Sequence, residues 1–161
     1  MMYGDRVRPE LSKPACRVML VCGPPAAGKS TYVRDRAQPG DSVIDIDMIA
    51  REFGYDRDRP PGATAMLLDE RNARLAALAD ASADHVAWVI VGAPSVKLRA
   101  WWCGQLNVAA ADLILLAADC CFRLIECGAI SADSEHSQDA WAITKHLRSQ
   151  PFASSDDLFF R

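Results

Sequence analysis

Eight consecutive residues, Gly23-Pro24-Pro25-Ala26-Ala27-Gly28-Lys29-Ser30, constrain this chain more than any other stretch. They stand between a short apolar run, Val18-Met19-Leu20-Val21-Cys22, and a segment of helical character from Gly28 to about Ala37. An unbroken apolar run of that length reads as a strand buried on both faces, so the eight residues form a strand-to-helix turn. Gly23 and Gly28 let the backbone wrap so tightly that successive N–H groups converge, and the positive end of the helix dipole points to the same place. Such a turn holds an anion. Lys29 adds a compact charge and Ser30 a hydroxyl suited to Mg2+, the arrangement that suits a nucleotide's phosphates. Chance alone gives the spacing in on the order of one chain in 200 of this length, and the flanking strand and helix lower the odds further.

The rest of the chain continues the alternation. Ser42 to Ile46 reads as a second strand, Asp47 as the start of a short helix to about Phe53, and 54–62 as a loop rich in Asp and Pro. A long helix follows from Ala63 to Ala83, with Leu67, Leu68, Leu75, Leu78 and Ala79 as its apolar stripe. Val86–Val91 is the third strand, Ser95 caps a helix to about Leu106, and Leu113–Ala117 is the fourth strand. Asp119 can cap a helix that carries Arg123, and a last helix spans roughly Glu135 to Leu147. Strands alternating with helices predict a three-layer α/β/α P-loop NTPase fold with a mostly parallel sheet of four or five strands. Residues 1–16 read as a flexible polar leader, 17–150 as the domain and 151–161 as a tail.

Half of the residues are apolar, enough for one sizeable core. The net charge of -3 argues against charge-driven binding to long nucleic acid. Met1 to Lys13 carries charges and a proline where a signal peptide needs an apolar stretch, and no run reaches membrane-span length, so a cytoplasmic location without membrane contact is expected. The six cysteines lack C-x-x-C spacing and read as thiols in a reducing compartment.

Gly23 to Thr31 therefore form the expected nucleotide loop, with Pro24, Pro25, Ala26 and Ala27 as its inner residues, Lys29 on the outer phosphates and Ser30 on Mg2+. No guanine-selecting N-K-x-D string occurs, which favours ATP over GTP. Asp45 and Asp47 sit at the carboxyl end of the second strand, the edge where ligands collect in α/β sheets. Asp47 has two compatible readings: a general base that takes the proton of an attacking hydroxyl, or a cap for the helix beginning at Met48. Asp45 reads as an outward strand residue or as a further carboxylate near substrate and Mg2+.

The order of strand, GxxxxGKST, helix and a strand ending in Asp-x-Asp resembles the small P-loop kinases. Most similar in pattern are the 5′-hydroxyl polynucleotide kinase domain of bacteriophage and relatives termed AAA-domain or zeta-toxin-like proteins. The likeness is strong from Arg17 to Arg51 and topological from there to Leu147. It implies that Asp47 is the general base and that Arg51 contacts substrate phosphate. It also implies a lid arginine, for which Arg123 is the residue in range. Two departures stand out: Val91-Gly92-Ala93 ends the third strand without a carboxylate for Mg2+, and the lid region is poor in arginine. The resemblance implies ATP-dependent phosphoryl transfer to a hydroxyl of a nucleotide, a nucleic-acid end or a small metabolite. The departures keep two alternatives open: a nucleotide-binding regulator, with the Leu158-Phe159-Phe160 tail as a docking segment, or a simple ATPase. Trp101 and Trp102 read as packing residues, and Arg71 and Arg74 as an exposed helical face.

Overall fold

The computed structural model describes residues 7–23, 27–55, 59–93 and 95–116. Strand β1 (Arg17–Cys22) lies inside a parallel sheet that also holds β2 (Ser42–Ile44), β3 (Val86–Val91) and β4 (Leu113–Leu115), in the order β2-β3-β1-β4. The register runs from Arg17 opposite Val86 to Cys22 opposite Val91, and from Leu20 opposite Leu113 to Cys22 opposite Leu115. Strand β2 pairs with β3 from Ser42 opposite Ala87 to Ile44 opposite Val89.

Continuous apolarity in β1 and β3 follows from the two-residue period of a strand inside three layers. Val18, Leu20 and Cys22, with Ala87, Val89 and Val91, meet Leu75, Leu78, Trp102 and Leu106. These come from α3 (Ala63–Ala77), the 3-10 turn Leu78–Asp80, and α4 (Val96–Leu106). On the opposite face Val21, Trp88, Ile90 and Ile114 meet Val33 and Ala27, at α1 (Lys29–Arg34) and just before it. The remaining helix, α2 (Ile46–Glu52), leans on α3 through Ile49, Ala50 and Leu67 rather than on the sheet.

Strands β1 and β3 and helix α4 begin and end as expected, and Ser95 caps α4 by accepting from the Leu98 N–H at 3.1 Å. Three expectations are corrected. The first helix stops at Arg34 instead of Ala37, the second strand at Ile44 instead of Ile46, and the long helix at Ala77, where a 3-10 turn takes over. Arg71 is not on an exposed face: it is buried, its guanidinium lies 5.3 Å from the centre of the Trp102 ring, and it donates to the Val7 carbonyl at 3.3 Å. Arg74 is half-buried and bridges Glu52 of α2 at 2.5 Å and Glu70 at 2.8 Å, which fastens α2 to α3.

Residues 7–16, ahead of β1, follow the domain surface with little regular structure. Ala15 N–H donates to the Leu78 carbonyl at 2.9 Å, Leu11 N–H to Gln105 Oε1 at 3.3 Å, and the Leu11 side chain joins the α4 side of the core. No helix of the described residues is long and apolar enough to cross a membrane. The helices expected after Ala117, with Arg123, and the 151–161 tail lie outside the described residues.

Candidate functional site

The turn after β1 is built around close backbone approach. A Cβ on Gly23 would stand 2.8 Å from the Leu116 carbonyl oxygen, just past β4, so this position admits only glycine without a shift of backbone. Leu116 N–H in turn donates to the Cys22 carbonyl at 2.8 Å, which pins the start of the turn to β4. Gly28 has φ 82°, a left-handed conformation that glycine adopts at no steric cost, and it opens α1. Ala27 is buried against the α1 side of the sheet, while Ser30 and Thr31 are exposed. Pro24, Pro25 and Ala26 lie outside the described residues.

Lys29 folds back over this turn, its Nζ 3.0 Å from the Gly23 carbonyl oxygen. Burial pushes the ammonium below its ordinary pKa, and the carboxylates of Asp45 and Asp47 oppose that shift. Beneath Lys29 the Cys22 thiol is pushed up to about 12 by burial, which makes it unreactive at neutral pH.

The two aspartates exchange the places the sequence suggests. Asp45 is neither an outward strand residue nor exposed: only 3% of it is accessible. It is the N-cap of α2, accepting from the Asp47 N–H at 3.1 Å through Oδ1, while Oδ2 accepts from the Ser30 hydroxyl at 3.0 Å. The cap falls here because β2 ends one residue before Asp45, so helical backbone already begins at Ile46. Asp47, expected as the alternative cap, is a first-turn residue with its side chain two-thirds exposed. Its carboxylate Oδ1 is 2.5 Å from Nη2 of Arg59, and its main-chain carbonyl accepts from Arg51 Nε at 3.1 Å. Arg51 thus lies one turn along α2 beside Asp47, with an exposed side chain.

A family model described as an AAA domain matches residues 18–140, more than half of the chain and all of the turn and both aspartates. The chain belongs to the AAA-domain family. The match is to a domain of P-loop NTPase type, a nucleotide-binding class, and the three-layer fold is the one expected. No match was found among curated proteins or among solved structures.

Two residues of the AAA domain's site carry no signal in the sequence. Arg59 comes from the loop before α3, and its partner is fixed only when that loop returns to α2. Arg99, in the first turn of α4, is buried and donates to the Ala93 carbonyl at 3.1 Å, which holds the turn after β3 beside the phosphate loop. Ala93 has φ 35°, unusual for a residue with a Cβ, and that bond helps retain it.

Burial raises the pKa of Asp45 above its ordinary value, only partly offset by the Asp47 amide, Ser30 and Lys29. For an acid the sign follows directly: the folded metal-free protein holds the Asp45 proton more tightly than the unfolded chain, so its contribution to stability falls as pH rises from 3.8 through the folded pKa. Asparagine keeps a capping oxygen without charge and places an NH2 where Oδ2 stood, which donates to the Ser30 hydroxyl oxygen instead of accepting from it. Asp45→Asn is therefore expected to remove this decline and to be at least as stable as wild type at pH 7 without metal. Thermal melts of the two proteins from pH 4 to 8 check this; a variant less stable at pH 7 than at pH 4, relative to wild type, contradicts it.

Proposed function

We propose that this AAA domain is an ATP-dependent phosphotransferase acting on a hydroxyl acceptor, similar to the small P-loop kinases. The observation that carries the reading is the accessible carboxylate of Asp47 next to the phosphate loop. It stands on the first turn of a helix whose cap, Asp45, is hydrogen-bonded to Ser30, and it lies near enough to Lys29 to influence its charge.

The loop amides and Lys29 hold the phosphates of ATP. Asp47 accepts the proton of the acceptor hydroxyl while that oxygen bonds to the terminal phosphorus, and the bond from phosphorus to the bridging oxygen breaks, releasing ADP. Ser30 and Asp45 form an all-oxygen donor pair, one hydroxyl and one carboxylate 3.0 Å apart, of the hard type that Mg2+ takes alongside phosphate and water. Ser30 and Asp45 would hold Mg2+, which would supply positive charge against the outer phosphates. With Gly92 at the end of β3, Asp45 takes the part of the carboxylate that many P-loop enzymes carry on the third strand. Asp45 then serves Ser30 and the cation, and the acceptor side falls to Asp47, Arg51 and Arg59. Arg123 is the residue we assign to the lid.

Transfer of labelled terminal phosphate from ATP to a panel of acceptors tests the reading: a 5′-hydroxyl oligonucleotide, nucleosides and small polyols. The expected result is one labelled acceptor class with ADP formed in equal amount. Phosphate release that needs no acceptor points instead to an ATPase. Nucleotide binding without turnover points to a regulator, the reading that Gly92 in the carboxylate's place favours.

A further inference from the structure

The exposed start of a helix is a poor place for a residue that must meet one proton at one angle, because a two-thirds exposed aspartate is free to change rotamer. In this protein three polar groups of Asp47 are engaged by described residues. Its N–H goes to Asp45, its carbonyl to Arg51, and its carboxylate to Arg59. Of the ion pair, Arg59 is the better held partner, with 27% of its side chain accessible against 67% for Asp47. The contact is made by Nη2 to Oδ1, which engages one carboxylate oxygen and leaves Oδ2 for another proton donor. Lys29, Asp45, Arg51 and Arg59 are charged groups around it, and Arg59 alone is bonded to its carboxylate among the described residues.

We propose that Arg59 is a positioning residue for Asp47: it fixes the carboxylate so that Oδ2 faces the acceptor hydroxyl. This rests on Asp47 being the general base. The role is separable from folding, since an exposed ion pair contributes little to stability, about 0–1 kcal/mol. It is also separable from nucleotide binding, which belongs to the loop and Lys29.

The test is a set of variants measured for turnover of labelled ATP with the acceptor panel and with water, and for Mg·ATP affinity by calorimetry. Arg59→Gln is expected to lower kcat about 10-fold or more, with nucleotide affinity within about 2-fold of wild type. Arg59→Lys, which restores a cation without the planar fork, should recover part of that loss. In an Asp47→Asn background Arg59→Gln should cost nothing further, because a positioning residue has no role once its base is gone. Wild-type kcat in Arg59→Gln, or an equal loss in both backgrounds, overturns the role of Arg59 and leaves the proposed function standing. A wild type that turns over no ATP with any acceptor, water included, overturns both. Asp47→Asn with unchanged turnover strikes the base and with it the role of Arg59, and leaves nucleotide binding intact.

Discussion

Asp47→Asn should lower phosphoryl transfer by roughly 10²- to 10⁴-fold, the range that a placed general base supplies. Nucleotide affinity should stay within a few-fold of wild type. The side chain is two-thirds exposed and the helix cap belongs to Asp45, so neither burial nor capping is altered by the change. Asparagine keeps the size and an oxygen for Arg59 but accepts no proton at neutral pH. Single-turnover transfer from labelled ATP, with calorimetry for binding, separates the chemical step from affinity. Transfer at the wild-type rate would mean that the proton leaves by another route, and the assignment of Asp47 would be lost.

Lys29→Ala has the second large effect, and it acts one step earlier. The ammonium is the one side-chain cation that the loop itself supplies, folded over the Gly23 carbonyl and shielded from water. Loss of a charge-assisted contact of this kind is worth about 10- to 100-fold in nucleotide affinity. The cost in transfer should be larger, on the order of 10³, because negative charge on the outer phosphates shifts as the bond breaks. Folding should be spared: burial already works against the charged lysine, so alanine relieves that cost while losing the hydrogen bond to the Gly23 carbonyl. The expected result is a melting temperature near the wild type together with weakened uptake of Mg·ATP in the calorimeter. Undiminished uptake by a folded Lys29→Ala protein would remove the basis for every functional statement above.

What the sequence made legible is what depends on neighbours in the chain. Strands β1 and β3 are unbroken apolar runs with turn residues behind them, and both ends of each are read correctly. Ser95 ahead of a helical segment is a local signal, and it caps α4. The glycines of the loop are likewise local in pattern, although the reason for Gly23, the Leu116 carbonyl, comes from ninety-three residues away. The aspartates show where this legibility stops. Asp45 and Asp47 are two apart, so a strand reading through Ile46 puts them on one face and leaves the cap to Asp47. A strand ending at Ile44 makes Asp45 the cap, turns its other oxygen inward to Ser30, and leaves Asp47 outside. Two residues of strand length decide between these outcomes, and neither composition nor period carries that information. Arg59, Arg71 and Arg99 were illegible for a different cause: a long flexible cation takes whatever partner the folded chain brings to it, here a carboxylate twelve residues back, a tryptophan ring and a strained carbonyl.

The double engagement of Asp45 ties the start of a helix to a hydroxyl of the phosphate loop. One carboxylate group terminates a helix with one oxygen and restrains a loop hydroxyl with the other. A cation that recruits Ser30 must therefore compete for, or share, the group that sets the angle of α2 and of everything mounted on it. By reciprocity, whatever steadies α2 from the acceptor side must feed back on cation affinity by the same factor. In the proposed reaction the nucleotide side and the acceptor side would thus be coupled through a single buried side chain.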